Sequence, residues 1–399
     1  MHQSVEPKSR VIAIVGGGPG GLLLASLLNK FKFTSVKLYE SDPSPSYRNQ
    51  GGSLDLRQES GQYAMKLAGL HEKFMAKARM EGDALRLVDK TGKILVNHES
   101  SGNDTYNPEI DRADLRQILL DSVPPEMIEW NHKLIKVTKE EGSHSLYFEN
   151  GKQVRCDVVI GADGAWSRVR KYITSQKPEY SGISMVDMII KDFDSTLLTK
   201  SYKDGLMFCA HQNQVMVIQR NGNGVVRVYA GMRIEESWQH ETPIAKGINA
   251  KQNTLACYEG WDESMLDFIR YAEEDSMVVR AIYQMPTDLN YKFQDGVALI
   301  GDAAHLMSPF AGEGVNMALM DAARLAEELC KDAEIPIVFE RYYRDMKHRA
   351  VPAMTESLYN LNKILCEDSP KSAMEVFNPS WNQMLQRVIV GLLGRVRIF

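Results

Sequence analysis

Five cysteines in 399 residues, at Cys156, Cys209, Cys257, Cys330 and Cys366, are too few and too scattered for a disulfide framework, and no C-x-x-C suggests a zinc site. They suit a reducing compartment, so a cytoplasmic location is expected. Positive charge is not in excess either. Lys and Arg number 47 against 52 Asp and Glu, and a net charge of −5 leaves no electrostatic footprint for nucleic acid. Long hydrophobic runs are missing. Residues 11–28 come nearest to one, but five glycines and a proline interrupt them and no small-residue cleavage pattern follows, so neither a signal segment nor a membrane span is expected. There is no internal repeat and no low-complexity linker. No metal site is read, and the expected partners are a small molecule and O2, with the chain a monomer.

The composition that remains, 44% hydrophobic and 25% charged, is that of a globular protein long enough for two joined domains. "RVIAIV" reads as a buried strand, "GGGPGGLLLASLLNKF" as a turn and helix, and "SVKLYE" as a second strand, which together make a βαβ unit. Strand-like pieces between about 181 and 283 predict an antiparallel sheet. The chain then returns through "GVALIGDAAH" and ends in helices, with a kink or break expected at Pro352. The fold class is therefore α/β: a Rossmann-like nucleotide-binding domain, an antiparallel β-sheet substrate domain and C-terminal helices. The expected division is 1–180, 181–285, a return segment 286–340, and helices 341–399.

Three motifs carry chemistry. Gly16, Gly18 and Gly21, with Gly20 between, fit G-x-G-x-x-G between a strand and a helix. The glycines permit a tight turn, close approach of a pyrophosphate, and close helix packing. Glu40 ends the next strand, where a carboxylate can accept from ribose hydroxyls. The second motif, "CDVVIGADGAWSRVRKYI", puts Asp163-Gly164 after a buried strand, either near a phosphate-rich ligand or as a capped turn. Arg168 and Arg170 add positive charge after it. The third, "GDAAHLMSPFAGEGVN", puts Asp302 after a strand to accept from a ribityl or ribose hydroxyl. Its bend at Pro309, Gly312 and Gly314 exposes backbone N–H groups, and the helix that follows aims its positive end at a ring. His305 reads as a ring neighbour or a satisfied loop histidine. Arg112 and Arg116 share a helix face, one reaching a pyrophosphate or ring while the other makes an ion pair. Met207 and His211 read as pocket lining or ordinary packing, and the charge run 341–349 as a solvated helix face. The basic tail "RVIVGLLGRVRIF" is read as docked on the protein.

In this order and spacing the motifs resemble the group A FAD-dependent monooxygenases, the para-hydroxybenzoate-hydroxylase-like fold, and within them the tetracycline destructases. "GGSLDLRQESGQYAMKLAGL", "NPEIDRADLRQILL" and "IGDAAHLMSPFAGEGVN" carry the likeness. The resemblance implies FAD as cofactor and NADPH (or NADH) as reductant, with oxygen delivered from a flavin hydroperoxide and no side-chain nucleophile. It implies FAD contacts at Glu40, Asp55, Arg112, Asp163, Gly164, Asp302, Gly312, Gly314, Val315 and Asn316, and a nicotinamide role for Arg48. Substrate contacts are implied at Met207, Pro309, Phe310 and Asn360. Where the destructases carry a glutamine, an arginine and a histidine, this sequence reads Asp187, Gly205 and Arg227. A polycyclic aromatic or enolic substrate follows, with tetracycline a poorer one. Ser41 replaces the arginine that often follows the acid of the second strand. A reductase on the same fold, or a flavoprotein that only sequesters a ligand, remains open at this point.

Overall fold

The computed structural model describes residues 10–47, 51–80, 84–100, 102, 105–291 and 296–377. The chain divides into two compact units. The first comprises residues 1–80, 105–179 and 283–357, and the second 81–104, 180–282 and 358–399.

The first unit is built on a five-stranded parallel sheet, in the order Val297–Leu299, Val158–Gly161, Ile12–Val15, Val36–Tyr39, Ile128–Glu129. The central strand, Ile12–Val15, is buried throughout, as a parallel strand covered on both faces must be. The helix Pro19–Lys30 begins with proline at its first turn and buries Gly20 through Leu28. It packs against the helix Gly314–Cys330. A three-stranded antiparallel sheet, Leu134–Glu140, Ser143–Phe148 and Gln153–Cys156, and a two-stranded ribbon, Ser53–Asp55 with Glu109–Asp111, complete the β structure.

The consequence of this topology is positional. The chain leaves Ile12–Val15 toward Val36–Tyr39 on one side, while Val158–Gly161 lies on the other, so the strand order reverses at Ile12–Val15. The carboxyl ends of four adjacent parallel strands carry Glu40, Gly16, Asp163 and Asp302. All the strand-end motifs thus share one edge, at the switch point where open α/β sheets bind ligands.

The second unit holds a seven-stranded sheet, ordered Val278–Gln284, Glu179–Ile190, Val226–Arg233, Gln214–Arg220, Leu206–His211, Leu85–Val88, Ile94–His98. Two features depart from the expected antiparallel sheet of residues 181–285. The hairpin 85–98, assigned from the sequence to the first domain, extends this sheet, and it joins through a parallel pairing of Leu85–Val88 with Leu206–His211. One sheet face packs with the helices Ala250–Cys257 and Glu263–Arg270 into a core that includes Met188, Ile218, Val228, Met265 and Phe268. Of the kink or break expected at Pro352, the break does not occur. The helix Ile335–Ile364 runs through it, with Ala350, Ala353 and Met354 buried around the proline. Among the described residues, no helix is long and apolar enough to cross a membrane.

Candidate cofactor edge and substrate sheet

The glycine turn is shaped by two different constraints. Gly16 has φ +108°, and a Cβ there would lie 2.3 Å from the Ala162 carbonyl oxygen. One on Gly21 would lie 2.0 Å from the Gly16 oxygen. These two glycines are needed for the protein's own packing. A Cβ on Gly20 would lie 3.0 Å from the Ala318 carbonyl oxygen, where the two helices meet. Gly18 is different. Its φ is −74°, and nothing lies within 4 Å of the site a Cβ would take. No neighbouring atom demands glycine there, and the space beside it is open. Gly18 caps the helix Pro19–Lys30 without any side-chain hydrogen bond, and no acidic residue occupies the first turn. The positive helix end is bare, which suits a phosphate.

Glu40 is buried, and its carboxylate is fixed by three donors: the Gly17 N–H, the Ser41 hydroxyl at 2.8 Å and the Asp42 N–H at 2.8 Å. Ser41, the departure from the family pattern, thus orients the acid. Asp302 is exposed to water, yet burial pushes its carboxyl above the usual range, and the charges of His305, Arg112 and Arg170 only partly offset this. Neither the Asp302 carboxylate nor the exposed Arg112 guanidinium bonds to a described residue, although the two feel each other's charge.

Asp55, Arg57, Glu313 and the bend 309–312 form a neighbouring cluster. Arg57 pairs with Glu313, donates to the Ala311 carbonyl at 2.8 Å, and lies 3.6 Å from Asp55. Burial pushes Glu313 up to about 7, with Arg57 opposing the shift. Gly312 takes φ +67°, and Gly314 begins the helix with open space where its Cβ would be. Val315 is half-buried against the core; Pro309 is exposed and Phe310 half-buried.

Several expected contacts are occupied by the protein itself. Asp163 accepts from the Ser167 hydroxyl and from the N–H groups of Arg168 and Val169 at 2.7 and 3.3 Å, so it caps its own turn, while Gly164 takes φ +73° beside open space. Asn316 is fully buried. Its amide oxygen accepts from the N–H groups of Arg57 (2.9 Å) and Gly61 (3.2 Å), and its nitrogen donates to the Asp55 carbonyl (3.0 Å), which makes it a clamp between segments. Arg116 is no surface ion pair. It is buried, donates to the Pro45 carbonyl at 2.8 Å and lies over Trp130. Arg48 and the basic tail lie outside the described residues.

Sequence reasoning missed a buried network behind the edge. Asp321, fully buried, accepts from the Gly301 N–H (2.9 Å), His305 Nε2 (2.6 Å) and Arg349 Nη1 (3.0 Å). Burial alone would raise Asp321, but His305, Arg349 and the Gly301 N–H hold it low. Conversely, burial lowers His305, and Asp321 outweighs that to leave it raised. His305 is thus bonded through Nε2 alone, its buried Nδ1 meeting no described partner, and Arg349, read as solvated, belongs to the interior. Arg170, also buried, donates to the Ala303 carbonyl at 3.1 Å and ties the Asp163 turn to the Asp302 strand end.

On the second unit's sheet, the alternation of side chains separates residues that the sequence grouped. Met207 is buried in the helix-packed core with Met188 and Val228 and so cannot line the opposite face. His211 shares its side of the strand. Asp187 and Arg227 face the other way and form a bidentate pair at 2.6 and 2.8 Å. Gly205, at φ +74°, abuts the Ala84 carbonyl. Asn360 is buried.

Residues 8–334 match the family described as FAD binding domain. The chain is 32% identical over 377 residues to the monooxygenase asqM of Emericella nidulans, covering 80% of this chain and 83% of that one. Among solved structures, Klebsiella pneumoniae HpxO complexed with FAD and uric acid superposes with a TM-score of 0.76 at 16% identity, covering 96% of this chain and 95% of that chain. The tetracycline destructase Tet(55) superposes with a TM-score of 0.72 at 22% identity, covering 96% and 97%. These structural likenesses establish the fold. The residues present fit the cofactor: a bare helix end, an open glycine, a fixed acid on the neighbouring strand, and the charged groups of Asp302 and Arg112, which bond to no described residue. The chain belongs to the FAD-binding monooxygenase family.

Proposed function

We propose that this monooxygenase uses NADPH or NADH and O2 to hydroxylate a polycyclic aromatic or enolic small molecule, acting as a cytoplasmic monomer. Bound FAD supplies the redox chemistry, accepting reducing equivalents and activating oxygen. The chain's own residues bind, orient and shield. The open turn at Gly18 and the bare end of the helix Pro19–Lys30 receive the pyrophosphate. Glu40, held by Gly17, Ser41 and Asp42, accepts from ribose hydroxyls. Asp302 and Arg112 offer an acceptor and a donor that no described residue uses. The N-terminus of the helix Gly314–Cys330 stabilises negative charge on the isoalloxazine ring. Arg48 serves the nicotinamide. On the second unit's sheet Arg227, fixed by Asp187, recognises substrate.

The observation that carries the cofactor assignment is Gly18, which no packing contact or positive φ requires and which caps a helix end left open. Substrate-dependent oxygen uptake coupled to NADPH oxidation tests the activity. Tetracycline is the first compound to try. Its turnover is expected to be slow, because a carboxylate at Asp187 leaves polar groups of that ligand unpaired, at about 1–3 kcal/mol each. NADPH oxidation that releases only peroxide, with every compound tried, would contradict the proposal.

A further inference from the structure

On the second unit's sheet, strand register places Asp187, Tyr229, Val217 and Phe208 side by side on the face opposite the helix-packed core. Asp187 is 3% exposed and bound bidentately by Arg227. A second guanidinium joins it from the strand Val278–Gln284, with Arg280 Nε donating to Asp187 Oδ2 at 2.7 Å. One carboxylate neutralises one of these cations, so the trio keeps a charge of about +1. The Arg280 side chain is 54% exposed, and its two terminal nitrogens bond to no described residue. Held through Nε, the planar group presents its terminal edge as a free two-pronged donor. A tie between strands needs only the Arg227 pair, and a half-exposed second arginine adds little stability. Beside this charge the row is aromatic and apolar: the half-buried Tyr229 ring centre lies 5.8 Å from the Arg227 guanidinium, and Val217 and Phe208 further along are buried, Phe208 against Phe377.

We infer that the Asp187–Arg227–Arg280 cluster recognises the ionised oxygens of a flat aromatic substrate, a carboxylate or an ionised phenol or enol, through the terminal edge of Arg280. The inference rests on the reading of the chain as a small-molecule monooxygenase and narrows its substrate to an anion. Asp187 acts here as a positioning residue that holds both guanidinium planes. An Arg–carboxylate fork gives geometric selectivity that a neutral amide of the same ring cannot match.

The test is equilibrium binding to the FAD-loaded enzyme, with salicylate and salicylamide as matched probes. The wild type is expected to bind the acid at least about ten-fold more tightly than the amide. Arg280→Gln should bring that ratio close to one at unchanged FAD content, and Arg280→Lys should keep only part of the preference, since it retains charge without the fork. A wild type without preference for the acid, or a preference that survives Arg280→Gln, overturns the inference. Binding needs no turnover, so the two readings fail separately. Acid selectivity that depends on Arg280, without substrate-dependent oxygen uptake, would sink the proposed function alone. Uptake without selectivity would sink this inference alone.

Discussion

Asp302 and Asp321 show how the same residue type does opposite work a few ångströms from one strand end. Asp302 has no bonding partner among the described residues, and the charges of His305, Arg112 and Arg170 only partly offset its burial. Replacing it by alanine should leave the melting temperature of the FAD-free protein nearly unchanged. It should weaken FAD by about 1.5–3 kcal/mol, the worth of a hydrogen bond to a charged group, as read by flavin fluorescence titration. Wild-type affinity in Asp302→Ala would show that the strand end is misassigned. Asp321 is the reverse case, with every contact internal. Asp321→Asn strips the buried His305 and Arg349 of their counter-charge and should cost roughly 3–5 kcal/mol in urea unfolding. Because Asp321 is held low, that stabilisation is present above its unfolded pKa and is lost as pH falls below it. A variant as stable as wild type at neutral pH would contradict the network. Asp302 was legible in the sequence because a strand and a glycine flank it. Asp321 and Arg57 were not, and Arg170 was read only as added charge, because ion pairs and carbonyl contacts between distant segments leave no local spacing to read.

At the scale of elements, the turns separate what the fold needs from what the ligand needs. Gly16→Ala would drive a methyl group into the Ala162 carbonyl and should abolish soluble expression. Gly18→Ala meets nothing, so it should fold with wild-type thermal stability and lose FAD affinity by at least ~10-fold. Equal FAD affinity would remove the ligand from that turn. The bend before the helix Gly314–Cys330 carries its own pH dependence. Glu313 sits near 7, above its ordinary value, so the folded state favours its protonated form. Its contribution to stability is therefore full below the unfolded pKa of 4.5 and is lost as pH rises through about 7. Between about pH 5 and pH 8 the wild type should lose on the order of 2 kcal/mol relative to Glu313→Gln. Parallel unfolding curves across that range would show that Arg57, not burial, governs the carboxyl. The strand, turn and helix order around all three motifs was readable from periodicity and glycine spacing. The hairpin 85–98 was not, because its parallel partner Leu206–His211 lies more than a hundred residues on. Met207 was grouped with Asp187 because the face a residue takes depends on register, which one residue of offset reverses.

For the whole molecule, the parallel unit gathers four strand ends at one edge, and the sheet of the other unit carries a buried carboxylate shared by two arginines. The family match spans residues 8–334, and the curated relative of 32% identity is itself a monooxygenase. What the family does not fix is the substrate. Its proposed determinants lie on the second unit's sheet, where Asp187 and Arg227 stand in place of the polar residues expected from the destructases that the sequence resembles. The central claim is that oxygen from O2 is transferred to a small aromatic or enolic molecule. The most direct measurement is mass spectrometry of product formed by the FAD-loaded enzyme with NADPH under isotopically labelled O2, beginning with tetracycline and then ionised phenols and aromatic acids. The account predicts substrate-dependent oxygen uptake and one labelled oxygen atom in the product. Product that carries oxygen only from water, or NADPH oxidation that no substrate stimulates, would contradict it.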